Sequence, residues 1–248
     1  MYIDDRGYYI KQKLQMFARS ILFYILLCIW TVFLGIINIP YLIIPSNKYL
    51  YSSIYLWIKG IFLLLKYICK ITHEIQGKEN ISTKPVLVAS KHQSAFETFA
   101  LFYYLPRSVF IHKKQLFLIP IFGQYLKKIN MISIDRRGGT KEIRQMLKKA
   151  KEKINSGFSI IIFPEGTRKK PGEVAKYKSG FVSLYRELNC EILPIAVNSG
   201  KFWPKHTFVK KEGHIIIKIL PIIKSGMGRK EILIKVENSI EEETSKII

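Results

Sequence analysis

An uncharged stretch near the N-terminus most constrains what this chain can fold into. Residues 20–47 carry no charged side chain, and an almost unbroken apolar run from Ile21 to Ile39 ends ahead of Pro40 and Pro45. An apolar helix of this length is sufficient to cross the hydrocarbon core of a bilayer. A cleaved signal peptide is the competing interpretation, but the run exceeds the usual apolar core of such peptides and no small-x-small cleavage site follows it. The stretch therefore predicts a membrane-embedded helix.

The next segment, residues 49–70, combines aliphatic and aromatic side chains with lysines. Spacings of 11, 7 and 4 residues place four lysines on one stripe of a helix: Lys48, Lys59, Lys66 and Lys70. A basic stripe opposite an apolar face is typical of a helix that lies in the membrane interface. The alternative is a core helix whose lysines face water.

Basic residues that flank the two segments favour one topology. Arg6, Lys11, Lys13 and Arg19 precede the first segment, and positive charge marks cytoplasmic flanks. A full span by the first segment alone would put the N-terminus and the rest of the chain on opposite sides. We favour an arrangement in which both segments insert as a hairpin or lie shallowly. Residues 1–70 would then anchor the chain, and residues 71–248 would form a catalytic domain on the cytoplasmic face of the cell membrane.

Short apolar stretches alternate with helical ones in the remainder of the chain, and the one plausible domain boundary lies near residues 71–84. Candidate strands are Pro85–Ala89, Ser108–His112, Ile129–Ile134, Phe158–Phe163, Glu191–Val197 and His214–Ile223. Candidate helices are Phe96–Tyr104, Lys141–Asn155, Gly180–Leu188 and Lys230–Glu243. Strands that are apolar at nearly every position and alternate with helices are typical of a parallel sheet covered on both faces. The predicted fold class is α/β, with a mostly parallel central sheet flanked by helices.

Charge and composition together exclude several classes of protein. The net charge is +22, yet 48% of the residues are hydrophobic, so the chain is neither a disordered basic tail nor an ordinary soluble enzyme. It must face a polyanion. Residues 107–178 alone carry a net charge of +13, but no recognition helix, aromatic groove or RNA-binding signature accompanies it. We therefore expect a phospholipid surface as partner, and no nucleic acid.

The first candidate site follows the first predicted strand. His92 stands where that strand ends, the position at which open α/β sheets bind their ligands. Glu97, five residues later, could hold the imidazole in one tautomer and stabilise its protonated form. Ser94 and Glu97 also form a capping-box pattern, in which Glu97 would serve only to start a helix. The two interpretations can coexist.

Two further strand ends deliver charged residues. Arg136 and Arg137 follow one strand, where paired guanidinium groups suit a phosphate or carboxylate, although an exposed turn is an equally simple account. Phe163 ends another strand and leads into Pro-Glu-Gly-Thr-Arg, so that a buried strand carries opposite charges to its edge. Gly166 within this turn would permit a ligand to approach the backbone closely. A salt-bridged surface turn is the alternative.

Five blocks of sequence, in order, resemble those of one enzyme family. His92 to Glu97 is similar to the H-x4-D signature of the glycerolipid acyltransferases, with Glu in place of the usual Asp. A block that begins at Lys113 resembles the pattern of bacterial 1-acyl-sn-glycerol-3-phosphate acyltransferases. The blocks after His92–Glu97 are Lys113-x-x-Leu116-x-x-x-Pro120-x-x-Gly123, Ile134-Asp135-Arg136, Phe163 to Arg168, and Leu193 to Val197. Their common order and spacing over about 107 residues make the resemblance specific.

The resemblance implies acyl transfer to an alcohol. His92 would act as general base on the sn-2 hydroxyl of lysophosphatidic acid, and Glu97 would orient His92. The alkoxide would attack the thioester of acyl-CoA or acyl carrier protein and give phosphatidic acid. A general base of this kind contributes about 10²- to 10⁴-fold. Glutamate is one methylene longer than the usual aspartate, which bears on the geometry of the pair and not on its chemistry.

The family pattern also implies a site for the acceptor phosphate. By motif position it assigns the phosphate to Lys113, Arg136 and Arg168, while Glu165 and Gly166 shape the acceptor site. The strand at residues 194–197 is either a wall for the acyl or thioester group or plain core. We expect no cofactor and no metal, since the thioester is itself a substrate and its transfer to an alcohol requires neither.

Other functions account for part of the same pattern. An acyltransferase of this fold could use another acceptor, such as glycerol 3-phosphate, a lysophospholipid or an amino-acid lipid, because cationic side chains indicate a phosphate and not the rest of the molecule. A non-catalytic protein that binds membranes or nucleic acid would account for the charge. That hypothesis gives no reason for His92, Arg136 and Glu165 to stand at strand ends in the family's order.

Overall fold

The described part of the chain forms one sheet of seven strands, with helices packed around it. The computed structural model describes residues 5–44, 48–119, 122–135, 137–173 and 176–248. The helices are α1 (Asp5–Ile37), α2 (Ile39–Ile43), α3 (Lys48–Tyr67), α4 (Phe96–Tyr104), α5 (Phe122–Lys128), α6 (Gly139–Asn155), α7 (Ser179–Leu188) and α8 (Arg229–Ile247). The strands are β1 (Ile71–Gln76), β2 (Leu87–Ser90), β3 (Ser108–Lys113), β4 (Ile132–Ile134), β5 (Ser159–Ile162), β6 (Ile192–Val197) and β7 (Gly213–Ile219). Short 3₁₀ turns cover Lys78–Asn80, Lys114–Leu118 and Ser199–Lys201.

The sheet is mostly parallel, as the sequence predicts. Its strand order is β1-β7-β6-β2-β5-β3-β4, and only the β6–β7 pair is antiparallel. Strands β2 and β6 lie at the centre and are buried along their whole length, because helices cover both faces of a sheet of this kind. Helix α8 packs on β6, α6 packs on β4 and β5, and α3 packs on β1. The predicted α/β class is confirmed.

One of the two edge strands, β1, is missing from the sequence-based prediction, which places only a domain boundary near residues 71–84. Its residues Ile71–Gln76 pair with β7 in parallel register, from Ile71 opposite Gly213 to Gln76 opposite Lys218. Side chains along β1 alternate between covered and exposed, so the strand lacks the continuous apolar run that marks the central strands. Only its partner from the far end of the chain reveals it as a strand.

Helix α1 presents an apolar surface to the outside. Residues 7–37 form the one helix, among the described residues, that is long and apolar enough to cross a membrane. Phe23 and Leu34 are buried against protein. Many of its large apolar side chains are exposed, including Ile21, Leu22, Ile25, Ile29, Phe33 and Ile36. Exposed apolar surface on this scale is typical of contact with lipid.

Helix α3 differs from its prediction on one face. Three of the four lysines of the predicted stripe, Lys48, Lys59 and Lys66, lie on the helix and are exposed. The fourth, Lys70, is exposed too but lies beyond the helix end at Tyr67, with φ 55°. The prediction that the opposite, apolar face rests on lipid is wrong: Ile58, Ile61, Phe62 and Leu65 are buried in the protein core. Helices α1 and α4 and strand β1 cover this face, so the core-helix alternative describes it.

Both ends of the N-terminal apolar segment are held by the sheet-forming part of the chain. At one end, Arg19 Nη1 lies 2.8 Å from Glu212 Oε2, and Ser20 Oγ accepts a hydrogen bond from the Lys210 amide. At the other end, the Tyr125 hydroxyl of α5 donates to the Gly35 carbonyl at 2.8 Å. The segment therefore lies along the body of the protein and does not lead away from it.

Candidate active site

Five strands deliver their ends to one edge of the sheet. Strands β6, β2, β5, β3 and β4 are mutually parallel, so the loops that follow them meet at their carboxyl ends, where sheets of this kind bind ligands. His92 follows β2, which lies between β5 and β6. The block from Phe163 to Arg168 follows β5, and Lys113 ends β3.

His92 and Glu97 form a close pair at this edge. His92 Nδ1 lies 2.8 Å from Glu97 Oε1, and the Glu97 side chain is fully buried. An ionised carboxylate only accepts hydrogen bonds, so Nδ1 carries the hydrogen and Nε2 keeps its lone pair. The His92 ring stacks on Phe163, with ring centroids 3.8 Å apart and planes 12° from parallel. The stacking fixes the plane of the ring, and the contact with Glu97 occupies Nδ1 and leaves Nε2 as the second ring nitrogen.

Glu97 also organises the start of helix α4. Its Oε1 accepts hydrogen bonds from the amides of Gln93 and Ser94, each at 2.7 Å. Its Oε2 accepts a hydrogen bond from Ser199 Oγ at 2.7 Å. The two interpretations of Glu97 therefore coexist, since one carboxylate both orients His92 and bonds the backbone at the helix start.

Glu165 lies behind His92 and does not line the cavity. Its Oε1 accepts the His92 amide hydrogen at 2.7 Å, and its Oε2 lies 3.6 Å from Lys91 Nζ. Burial raises the pKa of the Glu165 carboxyl from 4.5 to about 7, although Lys91 and the His92 amide act in the opposite direction. In place of the predicted contact with the acceptor, its described contacts are with the His92 amide and the Lys91 side chain.

A cavity of about 1000 Å³ contains His92 in its wall. Much of its lining is apolar and comes from helices α1, α3, α4 and α5: Leu34, Ile54, Trp57, Phe99, Phe102 and Phe122. Apolar clefts with a few polar groups are typical of sites for organic ligands. The N-terminal helices thus form part of the site as well as an apolar outer surface.

Cationic side chains line the same cavity. Lys113 and Arg168, which the sequence assigns to a phosphate, both contribute to its wall, whereas Arg136 lies outside the described residues. Lys178 and Lys205, which the sequence does not single out, are also in the wall. Such a group of cations suits a phosphate ester.

Gly166 also lines the cavity, and its backbone explains the residue type. Its φ is 71°, in the left-handed region that favours glycine, and a Cβ atom there would lie 3.2 Å from Lys178 Cγ. Residues 194–197, by contrast, are fully buried in β6 and contribute nothing to the cavity wall. For that strand the plain-core alternative holds.

Sequence reasoning missed two residues that contact the loop around His92 or its partner Glu97. Ser199 stands in the 3₁₀ turn after β6 and donates to Glu97, 102 positions away. Glu241, on α8, contacts Lys91 across 150 positions. Neither residue belongs to a motif, and no local pattern would have indicated them. Only the neighbouring positions of β6, β2 and α8 bring them to the site.

A search against family models matches residues 72–198 to the model described as Acyltransferase. A 1-acyl-sn-glycerol-3-phosphate acyltransferase from Pseudomonas aeruginosa is 33% identical over 218 residues, which cover 86% of this chain and 84% of that protein. A protein of the same name from Limnanthes alba is 29% identical and covers 90% of this chain and 78% of its own.

A solved structure shares the fold. The crystal structure of the 1-acyl-sn-glycerophosphate acyltransferase from Thermotoga maritima matches with a TM-score of 0.78 at 21% identity, and the match covers 95% of this chain and 98% of that one. At this identity the likeness concerns the fold alone. It extends over the N-terminal helices as well as the sheet.

Proposed function

This chain belongs to the Acyltransferase family, and we propose that it transfers an acyl chain to the sn-2 hydroxyl of lysophosphatidic acid, giving phosphatidic acid for phospholipid biosynthesis. It is thus a 1-acylglycerol-3-phosphate O-acyltransferase. The observation that carries this function is the buried His92–Glu97 pair in the wall of a cavity with an apolar lining and a cationic group.

The chemistry proposed for His92 is general base catalysis. Nε2 removes the proton of the acceptor hydroxyl, and the oxygen attacks the carbonyl carbon of the donor thioester. The carbon–sulfur bond then breaks, and the leaving thiolate takes the proton back from the imidazolium. Glu97 stabilises the imidazolium between these two steps. No covalent acyl-enzyme is required.

The cationic side chains account for the phosphate of the acceptor. We assign the phosphate to Lys113 and Arg168, together with Arg136 from its motif position, because charge-assisted hydrogen bonds are the strong ones in such a site. Gly166 allows close approach of the acceptor to the loop after β5. The donor would be acyl-CoA or acyl carrier protein, with its acyl chain in the apolar part of the cavity between α1, α3 and α4.

The apolar outer surface of α1 indicates association with a membrane. We further propose that residues 1–70 anchor the protein in one leaflet, with residues 71–248 as the catalytic domain on the cytoplasmic face. Contacts of Arg19 and Gly35 with the sheet-forming part support this arrangement, since both ends of the apolar segment stay with that part. Tags at either terminus should therefore share one pattern of protease protection in sealed vesicles. Opposite patterns would contradict the arrangement.

One assay tests the function. Purified protein in detergent is given lysophosphatidic acid and a labelled acyl thioester of either coenzyme A or acyl carrier protein. We expect phosphatidic acid from the wild type and essentially none from His92→Ala. Glycerol 3-phosphate in place of lysophosphatidic acid serves as the competing acceptor. Absence of phosphatidic acid with both donors, or full activity of His92→Ala, would show the proposal to be wrong.

A further inference from the structure

A cluster of ionisable side chains, three of them buried and one half-buried, lies behind His92. The Lys91 side chain is only 2% exposed, and its Nζ lies 2.7 Å from both carboxylate oxygens of Glu241. Glu165, with a fully buried side chain, lies 3.6 Å from the same Nζ. The Tyr177 hydroxyl donates to Glu241 Oε1 at 3.2 Å. None of these four side chains lines the cavity, so their role is not contact with a substrate.

The cluster is connected to His92 through the backbone. Lys91 directly precedes His92, and its amide bonds the Ile195 carbonyl of β6 at 2.9 Å. The next amide, that of His92, donates to Glu165. The His92 carbonyl in turn accepts from the Lys169 amide at 2.8 Å. The position of the imidazole thus depends on where Glu165 is held.

Glu241 supplies the charge that makes this arrangement possible. It stands on α8, which buries Ile232, Val236 and Ile240 in the core and so carries Glu241 toward β2. The next residue, Glu242, is exposed and pairs with Lys246, and Glu243 pairs with Lys218 of β7 as well as with Lys246. Glu241 also lies beyond residues 72–198, the part that matches the family model. The catalytic loop is therefore supported by an element outside the matched segment.

Electrostatics explains how the Lys91–Glu241 ion pair affects the position of Glu165. A buried ammonium group is costly unless it is paired, and without Glu241 the nearest carboxylate to Lys91 is Glu165. Lys91 would then draw Glu165 away from the His92 amide. We propose that the Lys91–Glu241 ion pair is a positioning device, in which Glu241 satisfies Lys91 so that Glu165 remains free to fix the His92 backbone. The proposal rests on the acyltransferase function above, with Glu241 and Lys91 as positioning residues.

The decisive variants separate positioning from stability. Glu241→Gln keeps the shape of the side chain and removes its charge, and Glu242→Gln on the same helix is the matched control. Because a misplacement of about 1 Å can cost on the order of 10²-fold in rate, we expect kcat to fall by about 10- to 100-fold for Glu241→Gln. KM for lysophosphatidic acid and for the donor should change less than about twofold, and Glu242→Gln should behave as wild type.

A double variant tests the proposal even if Glu241→Gln folds poorly. Replacement of a buried ion pair by apolar residues often preserves stability, so Lys91→Met with Glu241→Leu should recover the thermal midpoint of the wild type. Because no ammonium group remains to draw Glu165 away from the His92 amide, kcat should recover as well. A double variant as stable as the wild type but with a low kcat would overturn the proposal.

The remaining outcomes are equally distinct. Wild-type kcat in Glu241→Gln, or a raised KM with unchanged kcat, would also overturn the proposal. Wild-type protein that makes no phosphatidic acid would instead contradict the function itself, and this control is measured first. The two failures are therefore distinguishable.

Discussion

Ser199 donates a hydrogen bond to Oε2 of Glu97 at 2.7 Å, and neither residue has any exposed surface. The two carboxylate oxygens of Glu97 thus have different partners: Oε1 contacts His92, and Oε2 contacts Ser199 in the turn after β6. Because β6 lies beside β2 in the sheet, this turn reaches the loop after β2 that carries His92. The His92–Glu97 pair is therefore stabilised by a residue that follows β6, a strand outside the His92–Glu97 motif.

Ser199→Ala tests this relationship. The variant leaves a buried carboxylate oxygen without its donor, which costs about 1–3 kcal/mol, and loosens the side chain that orients His92. We expect a lower thermal midpoint and a several-fold fall in kcat with little change in either KM. Ser245→Ala, an exposed serine whose hydroxyl bonds only within α8, is the control. Unchanged kcat in Ser199→Ala would show that Glu97 does not depend on this bond.

Glu97→Asp should impair the enzyme even though aspartate is the usual residue of the family signature. Glu97 reaches His92, two backbone amides and Ser199 at once, and a side chain one methylene shorter cannot reach them all. We expect kcat to fall about tenfold or more, since orientation is sensitive to displacements of this size. The substrate KM values report whether the cavity is otherwise intact. Wild-type kcat in this variant would mean that the loop adapts to the shorter carboxylate.

Glu165 makes stability depend on pH. Its pKa is raised to about 7 by burial, so the folded protein retains a proton that the unfolded chain releases above pH 4.5. Stability should therefore fall as pH rises from about 4.5 to 7. When the free energy of unfolding in denaturant and detergent is plotted against pH, Glu165→Gln should lack this decline between pH 4.5 and 7. A slope identical to that of wild type would show that Glu165 titrates normally.

Lys113 and Lys114 offer a matched pair for the phosphate site. Lys113 lines the cavity, whereas its neighbour Lys114 is exposed and does not. Lys113→Ala should raise KM for lysophosphatidic acid about tenfold, since a hydrogen bond to a charged group is worth about 1.5–3 kcal/mol. Lys114→Ala should leave it unchanged. With a monoacylglycerol acceptor, which lacks the phosphate, the two variants should not differ; a difference there would point to another role for Lys113.

Local pattern was sufficient where function depends on residues close in the chain. His92 and Glu97 are separated by one turn of loop and helix, so their spacing alone predicts that they meet. The ends of two further strands, predicted at His112 and Phe163 and observed at Lys113 and Ile162, are equally readable, because apolar runs end where charged residues begin. The mostly parallel sheet follows from the same alternation of strands with helices.

Local pattern was insufficient where one surface has two suitable partners. The apolar face of α3 suits lipid and protein equally, since both exclude water, and the structure places Ile61 and Phe62 against protein. In the same way, nothing in the sequence near Glu165 distinguishes a side chain that faces a substrate from one that bonds the His92 amide.

The sequence by itself determined the class of fold, the dyad and the apolar N-terminal helix, because each is a matter of composition and spacing within a few turns of chain. Only the tertiary structure decided which distant groups surround the dyad. Ser199 and Glu241 reach it because β6 lies beside β2 and α8 packs on β6. Strand order and helix packing arise from the burial of the whole core, and they determine which buried polar groups find a partner.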